Sequence, residues 1–350
     1  MTKSTPLDSF SGNPVKGWKV LSAFALKESG QFERRGVRID DLAYLVTFIS
    51  IAKLSNVSGN SFVVRTLSTS EFAKALGVSD SSVRRLADAG ELEIHRTRGG
   101  HRRIPVSEAI RYVRDTRSPV LKPELLGLEV APQEIDADSA AVRMLQVLEE
   151  GHASAVIGLM QLLYASGMKI AELCDGPIAS AMHQIGDRWP QDKRAIFIEH
   201  RATILCCRAL NQLRLSIPEP DEDAPKAIGA AMSGDMYLMP TLIASLVLYE
   251  AGFNEINLGP NTPLDVLADS VIDESPNLLW LSIAEPLRSK SQMAEVVKLA
   301  EVASKHQTTF VIGGRHSSEL ATASTDTDGK PRWIQCKSMS DLRHVAISKI

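Results

Sequence analysis

Apolar positions follow two different rhythms along this chain. Across residues 139–150, 152–166, 169–187 and 191–215 they recur every three or four residues, as in Val156, Leu159, Leu162 and Leu163, which predicts a bundle of four helices. Beyond residue 226 the rhythm changes to short apolar runs at 227–232, 255–258, 277–283 and 308–312, with a fifth at 333–336. Between them lie helix-periodic stretches at 238–251, 264–273 and 291–305. Strands buried on both faces and alternating with helices predict a parallel, doubly wound sheet, whose ligands bind beyond the carboxyl ends of the strands.

Upstream, 67–116 has a third pattern. Ser70 precedes Glu71-Phe72-Ala73-Lys74-Ala75-Leu76, Gly77-Val78-Ser79-Asp80 reads as a tight turn, and a second helix runs from Ser81 until Gly90 stops it. Residues 91–105 read as a hairpin turning at Gly99-Gly100, and a helix restarts at Glu108. The predicted organisation is an extension of unassigned role (1–65), a DNA-binding head (66–117), a linker (118–138), a helical bundle (139–216), an acidic, proline-rich linker (217–226) and an α/β domain (227–350). The fold class is multidomain α/β: winged helix-turn-helix, four-helix bundle and doubly wound parallel sheet.

The chain has 350 residues, 44% of them apolar and 23% charged, enough to build several cores. Its formal net charge is −3, so any contact with nucleic acid must come from a local basic patch. Four cysteines do not resemble a disulfide framework, and the adjacent pair, Cys206-Cys207, lacks a zinc spacing and reads as packing residues on the long bundle helix. No apolar stretch reaches membrane-spanning length and the first twenty residues lack a signal-peptide core, so the expected location is the cytoplasm.

The densest charge run supplies that patch. Arg96, Arg98, His101, Arg102 and Arg103 fall within eight residues with no acid among them, downstream of Arg84-Arg85 on the second helix. A helix-turn-helix followed by an arginine-rich hairpin can lay one helix in the major groove while the wing contacts phosphates. Thr-Ser-Glu-Phe-Ala, Gly-Val-Ser, Val-Arg-Arg and Gly-Gly-His-Arg-Arg, in that order, resemble the MerR and excisionase-like winged helix family. The resemblance implies a double-stranded DNA operator as partner.

A second constellation lies in the bundle, where Trp189 is followed, nine residues later, by Glu199-His200. This spacing resembles the bundle of light-sensing, cobalamin-dependent repressors of the CarH/LitR kind. That resemblance implies that Trp189, Glu199 and His200 surround the upper, 5′-deoxyadenosyl ligand of adenosylcobalamin. Pro190 stands where well-known members carry a histidine. In the α/β domain the same resemblance covers Asp235 after the first strand, Ser282 at the end of the third and Gly313-Gly314 at the end of the fourth. The family's lower-face cobalt ligand, a histidine two residues after the aspartate, is replaced by Tyr237, and the following glycine by Pro240. Imidazole is a good neutral ligand for a transition metal, whereas a phenol must first lose its proton. If a histidine does reach the cobalt, His200 or His183 is the candidate.

The chain is therefore expected to be no enzyme. It reads as a transcription regulator, a repressor, whose homo-oligomeric state and operator binding respond to cobalamin, with light as the signal the resemblance implies. The alternative is a DNA-binding regulator whose cobalamin-like domain binds no cobalamin and works through protein contacts or another tetrapyrrole. A third reading, a cobalamin-linked methyltransferase module fused to a DNA-binding head, lacks the histidine and a catalytic partner domain.

Overall fold

The computed structural model describes residues 65–132, 135–187, 193–325 and 329–350, all within one compact unit, Arg65–Ile350. The extension before Arg65, and Trp189 with Pro190, lie outside the described residues.

The head is built from β1 (Thr66–Ser68), α1 (Thr69–Leu76), α2 (Asp80–Asp88), β2 (His95–Arg96), β3 (Arg102–Pro105) and α3 (Val106–Thr116). Helix α1 is capped by Ser68, not by the expected Ser70. The Ser68 side chain accepts from the Glu71 amide, and the Glu71 carboxylate accepts from the Ser68 amide at 2.7 Å. These bonds from Ser68 hold the Glu71 carboxyl below its usual pKa. Gly77 closes α1 in the left-handed region (φ 71°), and the Ser79 side chain caps α2. The expected hairpin is one edge of a three-stranded antiparallel sheet, ordered β1-β3-β2, so β1 pins the wing from its other side. Phe72, Val83, Leu92, Ile104 and Ile110 are fully buried beneath it.

The segment 118–138, read as a linker, is strapped to the head over its first half. Leu121 and Lys122 donate their amides to the Ala75 carbonyl, the short helix α4 (Pro123–Leu126) follows, and Val120, Leu126 and Leu128 are buried. Its apolar residues dock singly, without a helical period, which is why the pattern reads as a loop.

The bundle comprises α5 (Ala137–Glu150), α6 (Ala153–Ala165), α7 (Ile170–Leu173), α8 (Ala179–Gly186) and α9 (Lys193–Arg214). Helix α6 is buried over most of its circumference, as expected of the helix its neighbours surround. The single helix expected over 169–187 is instead two pieces joined by a π turn, Cys174–Ile178, which contains Gly176-Pro177. Asp175 in that turn accepts from the amides of Met339 and Ser340, each at 2.8 Å.

Strands β4 (Lys226–Ala231), β5 (Asn254–Asn257), β6 (Leu278–Ser282), β7 (Thr309–Gly313) and β8 (Ile334–Gln335) form an all-parallel sheet in the order β5-β4-β6-β7-β8. Helices α10 (Leu238–Glu250), α11 (Leu264–Glu274), α12 (Lys290–Lys305) and α13 (Met339–Ile347) flank it. Helix α13, whose N-terminus Asp175 caps, was not anticipated in the sequence. One face packs on α11 and α12. The other packs on α10 and α13 and continues without a break into the bundle and head.

Where these three parts meet, charge is buried. Arg114 of α3 donates to the carbonyls of Tyr164 and Met168, covers the Tyr164 ring at 3.8 Å, and reaches Glu250 of α10 at 3.3 Å. The Glu250 side chain, 7% exposed, also accepts from the Ile170 amide at 3.0 Å. Burial pushes the adjacent Tyr164 hydroxyl up to about 12. Truncating one partner of a buried pair strands the other charge, at a cost of about 3–5 kcal/mol. Glu250→Ala should lower unfolding stability in urea by that amount and Glu250→Gln, which keeps an acceptor for Ile170, by clearly less. Equal losses would show that the retained acceptor contributes nothing and that the junction depends on the carboxylate charge itself.

Candidate functional site

The basic wing divides into braces and exposed cations. Asp80 accepts from Arg84 at 2.6 Å within α2, and Asp88 accepts from Arg102 at 2.5 Å, tying the wing to the end of the helix. Arg103, half-buried, stands opposite Ser68 and His95 in the sheet. Arg85, Arg96, Arg98 and His101 are exposed, and Arg96 and Arg98 make no ion pair with described residues. The tip is held by Gly100 (φ 77°), whose amide donates to the Thr97 carbonyl at 2.8 Å. Helix α2 and the wing thus expose Arg85, Arg96 and Arg98 without an ion-pair partner among the described residues, free cations of the kind that contact phosphates.

On the bundle, Glu199 and His200 lie on α9. The Glu199 carboxylate accepts from Thr203 Oγ1 at 3.2 Å and lies 3.5 Å from His200 Nε2. The His200 side chain is 70% exposed and shares a face with exposed Ile196 and Ile204 one turn to either side, beside exposed Phe197. His183 on α8 is also exposed.

The carboxyl edge of the sheet gathers the remaining expected residues. Asp235, 1% exposed, follows β4 and joins two loops: its carboxylate accepts from the Tyr237 amide at 3.1 Å and from the Ala284 amide, beyond β6, at 2.6 Å. Asp235 is thus a clamp between loops, with its oxygens already engaged. Tyr237 stands at the N-cap of α10, 50% exposed, between exposed Met236 and Leu238. Pro240 occupies the first turn of α10, where its missing N–H leaves no helical bond unmade. Ser282 is buried at the end of β6 and Gly313 ends β7. Gly314 has φ 105°, and a Cβ there would come within 2.4–2.8 Å of the Ile283 backbone, so this turn accepts only glycine.

Four features escaped sequence reasoning: the wing-to-helix pair of Arg102 with Asp88, the Arg114–Glu250 junction, the Asp175 cap, and Trp280. The Trp280 indole lies buried against Gly229 of the neighbouring strand. A tryptophan two residues before Ser282 in a buried strand was the available signal; which face it fills depends on tertiary structure. Among the described residues no group of three or more His, Cys, Asp or Glu side chains is placed to hold a metal ion, and no helix is long and apolar enough to cross a membrane.

Residues 66–117 match a family model described as "Helix-turn-helix domain", and residues 141–214 match one described as "B12 binding domain". The chain is similar to the trimethylamine corrinoid protein of Methanosarcina barkeri, with 22% identity over 157 residues, 43% of this chain and 70% of that protein. Among solved structures it is similar to the monomethylamine corrinoid protein of Methanosarcina barkeri (TM-score 0.45, 13% identity), across 61% of this chain and all of that one. It is also similar to a cobalamin-binding protein of Desulfitobacterium hafniense DCB-2 (TM-score 0.35, 17% identity), across 62% of this chain and all of that one. The chain joins a helix-turn-helix domain to a segment of the B12-binding kind.

The residues present fit such a cofactor in one respect only. The edge offers an exposed apolar platform at Met236, Tyr237 and Leu238, but a phenol in place of the imidazole, and Trp280 is buried in the strand layer against Gly229. They do not fit a corrinoid ligated from below by histidine.

Two measurements check the site. Replacing Arg96 and Arg98 together by alanine should reduce the slope of log K against log salt by about 2 on any duplex, since each lost phosphate contact removes about 0.9; an unchanged slope would exclude the wing tip as a phosphate contact. The four cysteines are buried, and burial pushes the Cys206 thiol up to about 12 and those of Cys207 and Cys336 up to about 11. The native protein should therefore resist iodoacetamide at pH 7.5, and all four thiols should react in denaturant.

Proposed function

We propose that this chain is a one-component transcription regulator in which the winged helix binds operator DNA and the bundle and sheet form a corrinoid-responsive module. The observation that carries this reading is the joining, in one compact unit, of a basic winged helix to a segment matched by a B12 binding domain model. The stripe of Ile196, His200 and Ile204 with Phe197 on α9 and the platform of Met236, Tyr237 and Leu238 are exposed, largely apolar surfaces of a kind that suits a flat macrocycle. Trp189, Glu199 and His200 are assigned to its upper side, and Tyr237 faces it from below without ligating.

Bound adenosylcobalamin would supply a cobalt–carbon bond that light can break. The chain's own part is to convert occupancy into assembly. Several heads joined in one oligomer raise effective concentration on a repeated operator, and separation of the protomers removes that gain. Repression is the direction assigned, with the dark, liganded oligomer holding the operator.

A second reading, a regulator that binds no cobalamin and acts through protein contacts or another tetrapyrrole, is favoured by Tyr237 and by the indole beneath the edge. Melting the protein in the dark with and without saturating adenosylcobalamin separates the two. A ligand at a hundred times its Kd stabilises the native state by about 2.7 kcal/mol, so the first reading requires a rise of several degrees. A melting point that ignores adenosylcobalamin favours the second. Under the first reading, Trp189→Ala in a folded variant should abolish the preference for adenosylcobalamin over cobalamins with small upper ligands. Illumination should weaken operator binding in a gel shift of the wild type.

A further inference from the structure

A complete cobalamin has two parts, a flat corrin ring and a nucleotide tail hanging from its rim. A ring lying on the carboxyl edge of a parallel sheet can bury that tail within the domain only along one of the two faces, between strands and helices. On the α11 and α12 face, Ile228, Ala230 and Met232 of the first strand and its extension pack with Leu279, Leu281 and Ile283 in a continuous apolar cluster. That route is filled by ordinary core.

The α10 and α13 face is different. Here β4 presents only Ala227, Gly229 and Ala231, small residues that leave room beside the neighbouring strand. The largest side chain of that strand takes it. Trp280, 2% exposed, lies across Gly229 so closely that a Cβ there would fall 2.0–2.4 Å from three atoms of the indole. Its Nε1 donates to Thr241 Oγ1 at 3.2 Å, and that hydroxyl donates to Asn257 Oδ1 at 2.9 Å. The Asn257 amide in turn donates to the Thr241 carbonyl at 3.2 Å. Rotating the indole aside would strand a buried N–H and break into packing at interior density. Nearer the edge, a Cβ on Gly313 would already meet the Cys336 carbonyl at 3.3 Å, so that corner is covered as well.

We propose that Trp280 closes the sheet to the nucleotide tail, so that this chain selects its ligand by the macrocycle alone and takes incomplete corrinoids, which lack the tail, as readily as complete cobalamin. The proposal rests on the corrinoid reading above and specifies which corrinoids that site accepts. Gly229 and Trp280 act together: the glycine supplies the room and the indole consumes it, bonded through Thr241 to α10, the helix that begins at the platform.

The test is equilibrium dialysis of the full chain in the dark against cyanocobalamin and dicyanocobinamide, read by corrin absorbance. The closed face predicts dissociation constants within about threefold of each other. A preference for cyanocobalamin of about a hundredfold or more would mean that the tail finds a buried site, and would overturn the proposal. If neither corrinoid is retained, the corrinoid reading itself fails, and the proposal with it. Trp280→Ala should open the route and shift selectivity toward cyanocobalamin by about tenfold or more, while Trp280→Phe, which keeps most of the plug, should leave the ratio near that of the wild type. A folded Trp280→Ala protein with the wild-type ratio would also overturn the proposal. Should that variant not fold, the wild-type ratio still decides.

Discussion

The Glu250 carboxylate is almost out of contact with water, and its partners come from three parts of the chain that the sequence separates widely. Arg114 arrives from the last helix of the head, the Ile170 amide from the bundle, and Arg343 of α13 stands 3.9 Å away. Desolvating a carboxylate and a guanidinium costs several kcal/mol for each ion, recovered only when every partner is in place. The Arg114 head satisfies this by spending its other donors on the Tyr164 and Met168 carbonyls, at the end of α6 and just beyond it. The junction is therefore close to all-or-none. Head, bundle and sheet hold one geometry, or the contact opens as a unit and exposes a buried charge to water. Any signal that reaches the DNA-binding surface from the sheet has to work against this constraint or leave it untouched and act through assembly instead.

The carboxyl edge is rigid for a related reason. Asp235 is spent on amides of two loops, Gly314 is pressed against the Ile283 backbone, and Asn261 donates its amide to the Asp235 carbonyl and its side-chain oxygen accepts from Gly234. The loops that in such folds approach a ligand are here bonded to each other. What they leave outward is a short apolar shelf, preorganised, with no polar group on Asp235 still seeking a partner. A surface of that kind recognises shape and flatness more than charge.

Helices and strands were legible wherever caps and periodicity agreed. The strands at 227–232 and 277–283 and the helices between them stand within a residue or two of their expected positions, because each is buried on both sides or bounded by proline or glycine. The fold class followed from that alternation. Segment 118–138 was less legible, since Val120, Leu126 and Leu128 dock one at a time and the Ala75 carbonyl that anchors the strap carries no sequence signal. Within the site, the residue types were readable and their work was not. Arg102 reads as one cation among several until Asp88 is beside it, and Asp235 reads as a ligand-loop residue until both its oxygens are found occupied. Arg114 and Glu250 lie 136 positions apart, beyond any periodicity.

The π turn at Cys174–Ile178 bears on how this architecture can change over evolutionary time. Such a turn holds one residue more than an α-helix spanning the same rise. Losing that residue would restore regular winding and rotate everything beyond it by about 100°. Ile178, Ala181 and Ile185, now buried, would swing off the bundle core, and Asp175 would leave the start of α13. The phase of the bundle helix and its attachment to the sheet are thus set by a single surplus residue. A deletion within this turn breaks interior packing and the docking of the sheet at one stroke, so the length of this segment is restrained as tightly as its buried residues Cys174 and Ile178.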